Sequence, residues 1–234
     1  MLPLKDDVRS QSFPLFTVLL IAGNVGAFLY QMSLELGAGR VSQEAATAFI
    51  IEFGAVPCRI TGLCPLGEFP APAVSVFTSM FLHGGLFHIA GNMLYLWIFG
   101  DNVEDTLGHA RFLLLYLLAG VAAVAAQTVV NPASQVPMVG ASGAISGVLG
   151  AYLLLFPRAS ILTLIMFGFF VRFVQVPALI VLGFWIVVQF FNGLISFGAR
   201  GTEGGGVAWF AHIGGFLAGL ALLFLLRPRA RRRL

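Results

Sequence analysis

Charge is scarce in this sequence. Only 13 Lys and Arg and 10 Asp and Glu occur in 234 residues, so 10% of the chain is charged, whereas 59% is hydrophobic. A soluble domain is about one quarter charged and needs those charges to cover its surface. So little charge excludes an ordinary cytosolic enzyme, a disordered chain and a disulfide-dense secreted module. We therefore predict a protein that lies in lipid.

The charged residues fall in clumps and leave charge-free stretches long enough to cross a membrane. A helix needs about 20 apolar residues to span ~30 Å of hydrocarbon. The stretch 112–157 is longer, but the turn sequence 131–137 (NPASQVP) interrupts it and predicts two helices. We predict an all-α membrane fold with six spans, at 13–32, 83–100, 112–130, 141–156, 176–196 and 207–226.

The basic residues predict the direction of these spans. Six spans put both termini on one side of the membrane, and that side carries Lys5, Arg9, Arg111, Arg158, Arg172, Arg227, Arg229, Arg231, Arg232 and Arg233. The other side carries only Arg40, Arg59 and Arg200. We therefore expect a cytoplasmic segment 1–12, a membrane domain 13–227 and a basic cytoplasmic tail 228–234.

Among the connections between the spans, only the first outer loop is long. The outer loop, about 33–82, holds Cys58 and Cys64, which either pair in an oxidising compartment or remain free thiols. The segment 159–175 is apolar but contains an arginine, and we predict an inner interfacial or re-entrant connection. The run Arg229–Arg233 directly follows a span, which predicts contact with anionic lipid and not with nucleic acid.

Polar side chains inside spans are costly and therefore point to function. His88 and Asn92 lie near the start of span two, Ser142 opens span four, and His212 lies about five residues into span six. Spans two, four and six run in the same direction, so these residues share a similar depth in the outer part of the membrane. Span four is short: roughly 15 residues cover ~22 Å, which leaves Ser142 about 8 Å below the outer face.

Small residues on spans four and six form faces that allow two helices to approach closely: Gly143 and Gly147, and Gly215 and Gly219. His212 shares the face of the second glycine pair, since the spacing is i, i+3, i+7. If the two faces pack together, His212 points at Ser142. Ordinary helix packing without a functional role is the alternative interpretation.

A serine beside a histidine predicts acyl transfer, because a base must take the hydroxyl proton before the oxygen attacks. No carboxylate lies inside a span, so the pair is a dyad and not a triad. Free N–H groups at the start of span four, with His88 and Asn92 on one face of span two, offer donors to an oxyanion. Alternatively, His88 and Asn92 serve only as polar contacts between helices. The chain lacks the zinc motif H-E-x-x-H, a pair of intramembrane aspartates and the elbow G-x-S-x-G.

Four motifs, covering most of 76–227, occur in a specific order: H-x-x-x-N at 88–92, Phe99-Gly100…Glu104…Gly108…Arg111-Phe112, G-x-S-G at 140–143, and Ala211-His212…Gly215…Gly219. With them the sequence resembles the rhomboid intramembrane serine proteases. The resemblance implies a six-transmembrane-helix bundle with a short central helix that carries the nucleophile, and a cavity open to the outside. It implies Ser142 as nucleophile and His212 as general base, with His88, Asn92 and the backbone N–H of Ser142 as oxyanion donors.

The resemblance also implies a substrate. It would be the transmembrane segment of another single-span or multi-span membrane protein, cut near its outer end after a small residue, with no metal or organic cofactor. We expect a bacterial inner membrane, and the oligomeric state stays open. Some members have a tyrosine four residues after the nucleophile, packed on the base, where this chain has Ser146. A catalytically inactive rhomboid-like scaffold that binds membrane proteins is the alternative, and a transporter is disfavoured because no charge lies inside a span.

Overall fold

The computed structural model describes residues 1–36, 40–64, 70–167, 170–198 and 207–227. Arg200 and the predicted basic tail 228–234 lie outside these residues. Helices make up most of the described chain: α1 Leu15–Glu35, α2 Arg40–Phe53, α3 Pro57–Ile60, α4 Pro72–Thr78, α5 Leu86–Leu107, α6 His109–Val130, α7 Ser142–Leu155, α8 Ala178–Gly198 and α9 Trp209–Leu226. A 3-10 turn, Ser79–Phe81, follows α4.

Four of the described helices, α1, α6, α8 and α9, are long and apolar enough to cross a membrane. A fifth candidate is the segment Pro72–Phe81 taken together with α5, which are bent by 85° relative to each other. Helix α7 is apolar but has only 14 residues. By length and composition the described chain therefore holds four or five candidate spans, and α7 is a shorter apolar helix within the range 141–156.

The structure corrects the all-α prediction at one end of the bundle. A three-stranded antiparallel sheet lies there, in the order β1 (Leu2–Asp6), β2 (Ser160–Phe167) and β3 (Phe170–Pro177). The predicted connection 159–175 is thus largely a β-hairpin, whose register runs from Ser160 opposite Pro177 to Phe167 opposite Phe170. Its strands are mostly apolar, and the few polar residues, among them Thr163, Arg172 and Gln175, do not alternate regularly with apolar ones, so the period does not separate strand from helix.

Glu104, which is fully buried, connects the end of α5 to the start of α1. Its carboxylate accepts hydrogen bonds from the backbone N–H groups of Phe16 and Thr17, both at 2.8 Å, and from the Thr17 hydroxyl at 2.7 Å. The imidazole Nδ1 of His109 lies 2.6 Å from the same carboxylate. Because α1 has no side-chain cap of its own, Glu104 supplies acceptors that the helix start would otherwise lack.

Asp6 connects the sheet to the helices. Its carboxylate accepts hydrogen bonds from the Tyr152 hydroxyl at 2.6 Å and from the Asn102 side-chain amide at 2.9 Å. Burial raises the pKa of Asp6 above its ordinary value, although the bond from Tyr152 acts in the opposite direction. The N-terminal strand therefore lies against the last turns of α5 and α7.

The described residues between α1 and α5 include contacts with the opposite end of the bundle. Within it Cys58 and Cys64 form a disulfide, so of the two alternatives the structure has the paired one. The backbone of Ala55 pairs with that of Met138, and the N–H of Cys58 donates to the carbonyl of Ser134 at 3.0 Å. These bonds hold the predicted outer loop against residues 131–139, which precede α7.

Replacing Glu104 with alanine should lower the free energy of unfolding by about 3–5 kcal/mol, because the start of α1 and His109 lose a buried charged partner. Thermal unfolding in detergent measures this change. Asp105→Asn is the matched control: Asp105 accepts bonds from Gln11 and Ser12 at an exposed site, so we expect a loss of about 1 kcal/mol. Equal unfolding temperatures for Glu104→Ala and the wild type would contradict the capping role.

Candidate active site

Ser142 is the first residue of α7. The N-cap residue is Ala141, which makes no side-chain cap, so the first N–H groups of the helix have no acceptor from it. Gly140 has φ +125°, a backbone conformation that residues with a side chain rarely adopt. A β-carbon at Gly140 would lie 2.8 Å from Nε2 of His88, so the glycine also makes room for that histidine.

Helices α7 and α9 run parallel and touch through their glycines. A β-carbon on Gly215 would collide with the carbonyl oxygen of Gly143, and one on Gly219 would collide with that of Gly147. The absence of side chains at these positions therefore sets the separation of the two helices. The same pairing gives α7 and α9 a common direction, so the C-terminal ends of both helices lie at the end of the bundle that carries the sheet.

This packing brings together two side chains that are 70 residues apart in the sequence. Nε2 of His212 lies 2.8 Å from Oγ of Ser142, a normal hydrogen-bond distance. Both residues are half-buried, so they remain accessible from the adjoining cavity. The geometry is the one required for a histidine to take the proton of a serine hydroxyl.

The other ring nitrogen of His212 contacts Gln189 of α8, a residue that the sequence reasoning did not select. The distance from Nδ1 to the Gln189 carbonyl oxygen Oε1 is 2.8 Å. The ring centroids of Trp185 and Trp209 lie 5.8 Å and 6.3 Å from that of His212. The available signal was a single glutamine in the middle of an apolar span, which is costly unless it has a partner.

Ser146 does not hold the His212 ring. It is fully buried, and its hydroxyl donates to the backbone carbonyl of Ser142 at 2.6 Å. Contacts that a tyrosine at this position would make with the histidine come instead from side chains of α8 and α9.

His88 and Asn92 lie on the α5 face that borders Ser142. The backbone N–H of Gly84 donates to Nδ1 of His88 at 3.3 Å, so a neutral ring carries its proton on Nε2. Asn92 is buried, and among the described residues its side-chain nitrogen Nδ2 has no hydrogen-bond partner. Two donors thus remain available beside the serine.

A cavity of about 1330 Å³ surrounds these groups at the end of the bundle opposite the sheet. Its walls include the segment 130–139 and the side chains of His88, Asn92, Ser142, His212 and Trp185. The cavity is large enough for an extended stretch of peptide as well as water. The arrangement combines a serine–histidine pair, unpaired donors and space for a substrate, which are the parts needed for acyl transfer.

Comparison with known proteins adds the family. The profile of the Rhomboid domain matches residues 71–229. This chain belongs to the rhomboid family. The match covers α4 to α9 and so includes every site residue described above, whereas α1, α2 and α3 lie outside it.

Three rhomboid relatives illustrate the range of similarity. The chain is 39% identical over 140 residues to "Rhomboid protease GluP" of Bacillus subtilis, an alignment that covers 60% of this chain and 24% of that protein. It is 34% identical over 156 residues to "RHOMBOID-like protein 1" of Arabidopsis thaliana, covering 66% and 35%. It is 30% identical over 164 residues to "Rhomboid protein 1, mitochondrial" of Saccharomyces cerevisiae, covering 65% and 42%. The chain thus aligns with less than half the length of each relative.

Gly140→Ala should destabilise the protein by about 1–3 kcal/mol, because alanine is strained at this φ and its methyl group meets His88. Thermal unfolding in detergent measures the loss. Gly26→Ala in α1 is the control: no atom lies within 4 Å of the place that its methyl group would take, and alanine favours a helix interior by about 0.5–1 kcal/mol. A Gly140→Ala protein as stable as the wild type would show that the backbone there is not constrained.

Proposed function

We propose that this chain is an intramembrane serine endopeptidase that hydrolyses a peptide bond in or near the transmembrane segment of other membrane proteins. The observation that carries the proposal is the 2.8 Å contact between Nε2 of His212 and Oγ of Ser142, at the wall of a large cavity. Family membership supports it, because the Bacillus relative is named a protease.

In the first half of the reaction, Oγ of Ser142 attacks the carbonyl carbon of the scissile peptide bond while its proton passes to Nε2 of His212. The carbonyl oxygen becomes an oxyanion. Nε2–H of His88, the Asn92 amide and the backbone N–H of Ser142 are the proposed donors to it, because each borders the serine and none needs to move far. Preorganised donors of this kind stabilise the transition state most where water is scarce.

The tetrahedral intermediate then collapses. The C–N bond breaks, the leaving amine takes the proton from His212, and the acyl group stays on Ser142. In the second half a water molecule attacks the acyl carbon and gives a proton to His212, after which Ser142 leaves with that proton. Water has to reach a site at membrane depth, and the polar side chains of Asn131, Ser134 and Gln135 in the cavity wall support such access.

We propose a six-span bundle in which the bent segment 72–107 and the short helix α7 each count as one crossing. The common direction of α7 and α9, together with the contact of β1 with α7, supports placing both ends of the described chain on one side. The distribution of Lys and Arg supports the cytoplasm as that side, with the cavity open outward. A bacterial inner membrane is our proposal for the location, although the family also includes mitochondrial proteins.

The alternative function is a catalytically inactive scaffold that binds membrane proteins. A scaffold needs neither a serine–histidine hydrogen bond nor unpaired donors beside it. Their presence favours the protease, whose substrates would be single-span or multi-span membrane proteins held in the lipid bilayer.

The decisive activity test uses the detergent-solubilised protein and a reporter with a single transmembrane span. We expect cleavage by the wild type and a loss of roughly 10⁴-fold or more in Ser142→Ala and His212→Ala, because either residue alone performs little acyl transfer. A fluorophosphonate should also bond covalently to Ser142, as measured by intact mass. Equal cleavage by wild type and Ser142→Ala would contradict the proposal, and binding of the reporter without cleavage would favour the scaffold.

Asn92→Ala should lower kcat by about 10²-fold, the usual effect of removing one oxyanion donor. Asn24→Ala is the matched control, since Asn24 is a buried amide of α1 outside the cavity, bonded to the Leu20 carbonyl. Its turnover per folded molecule should stay at the wild-type level. Unchanged turnover in Asn92→Ala would reduce that residue to a contact between helices.

A further inference from the structure

We propose that Gln189 is a positioning residue that fixes the protonation pattern of His212, so that Nε2 is free to accept the Ser142 proton. The inference rests on the proposed function for its catalytic meaning, but the hydrogen bonds that carry it are independent of any activity. It also names what orients the histidine in a chain that has neither a carboxylate inside a predicted span nor a tyrosine at position 146.

The backbone of Trp185 fixes the orientation of the Gln189 amide. A carbonyl oxygen only accepts hydrogen bonds, and Nε2 of Gln189 donates to the Trp185 carbonyl at 3.2 Å. This bond determines which end of the side-chain amide is nitrogen. The amide oxygen, Oε1, must then face the other way, toward His212.

The orientation of the Gln189 amide determines which nitrogen of the His212 imidazole carries the proton. An amide oxygen only accepts, so the 2.8 Å contact with Oε1 requires a proton on Nδ1 of His212. A neutral imidazole carries one proton, and Nε2 is therefore left with its lone pair toward Oγ of Ser142. A chain of three hydrogen bonds thus runs from the α8 backbone to the serine and allows only one of the two neutral tautomers.

The position of Gln189 makes this chain of bonds rigid. Gln189 is only 5% exposed and lies one helical turn after Trp185 on α8. The Gln189 side chain and the Trp185 carbonyl that it bonds to therefore lie on the same face of that helix. The rings of Trp185 and Trp209 both lie near that of His212, with interplanar angles of 35° and 89°. The histidine is therefore restricted in rotation as well as in tautomer.

An amide suits this place better than a carboxylate. A charged side chain at membrane depth is costly to bury, whereas an amide with both ends bonded is not. Gln189 orients the ring without adding charge. The cation that forms on His212 during acyl transfer instead meets the ring of Trp185, at a distance where an aromatic face attracts a positive charge.

The direct test reads the tautomer of the resting protein. Long-range ¹H–¹⁵N spectra of histidine-labelled protein in detergent, recorded over a pH series, distinguish a protonated Nδ1 from a protonated Nε2 in a neutral ring. The chain has 4 histidines, and the signal lost in His212→Ala assigns the one of interest. We expect the proton on Nδ1 in the wild type and a shift to Nε2 in Gln189→Met, which has a similar length but no acceptor.

Two further variants complete the set. Gln189→Glu should keep the proton on Nδ1 at a pH where its carboxyl group is ionised, because a carboxylate only accepts hydrogen bonds. Phe190→Leu, at an outward-facing neighbour that is 51% exposed, should leave the His212 signal unchanged. A wild-type proton on Nε2, an unshifted tautomer in Gln189→Met, or an Nε2 proton in Gln189→Glu at that pH would each overturn the proposal.

Kinetics separate positioning from folding. Gln189→Met should lower kcat by roughly tenfold or more, with little change in KM. The loss should not exceed the ~10⁴-fold decrease in kcat that a wrong histidine tautomer causes in a serine protease. If the tautomer shifts in Gln189→Met but the wild type cleaves no substrate, the proposed function is wrong and the role of Gln189 is supported. If the wild type cleaves substrate and the tautomer does not shift in Gln189→Met, the role of Gln189 is wrong and the proposed function is supported.

Discussion

The separation between α7 and α9 is the constraint on which the site depends. In lipid no hydrophobic force pulls two apolar helices together, so their approach relies on close packing of small residues. Gly215 and Gly219 meet the carbonyl oxygens of Gly143 and Gly147 directly, and any side chain there would move α9 outward. Such a shift would break the contact of His212 with Ser142, because a hydrogen bond weakens steeply beyond about 3.2 Å.

Hydrogen-bond direction is the second organising feature. A backbone N–H only donates and a backbone carbonyl only accepts. One group of each kind determines the tautomer of a histidine in the site, and the resulting tautomers of His88 and His212 are opposite. Gly84 donates to Nδ1 of His88 and leaves that ring a donor on Nε2, whereas the Trp185 carbonyl acts through Gln189 and leaves His212 an acceptor on Nε2. One ring is thus prepared to stabilise negative charge and the other to take a proton. Both states are set in the resting protein, which is what preorganisation requires.

Much of this could be predicted from the sequence, because the strongest signals are charge and spacing. The charge-free stretches coincide with α1, α6, α8 and α9, and His88, Ser142 and His212, for which the sequence predicted a similar depth, all line one cavity. The sheet could not be predicted, since β2 and β3 are mostly apolar without a regular alternation of polar residues, and β1, which pairs with β2, is distant in the chain. The role of Gln189 could not be predicted for a related reason. Its hydrogen-bond partners lie on the backbone of its own helix and on α9, and no local sequence pattern predicts that these groups are in contact.

The proposed chemistry is tested most directly by the structure of a fluorophosphonate adduct. Attack by the serine releases fluoride and leaves a tetrahedral phosphorus that mimics the intermediate of acyl transfer. We predict a bond from Oγ of Ser142 to phosphorus, and a phosphoryl oxygen within about 3 Å of Nε2 of His88, Nδ2 of Asn92 and the Ser142 N–H. An adduct on another residue, or a phosphoryl oxygen that faces away from all three donors, would contradict the account.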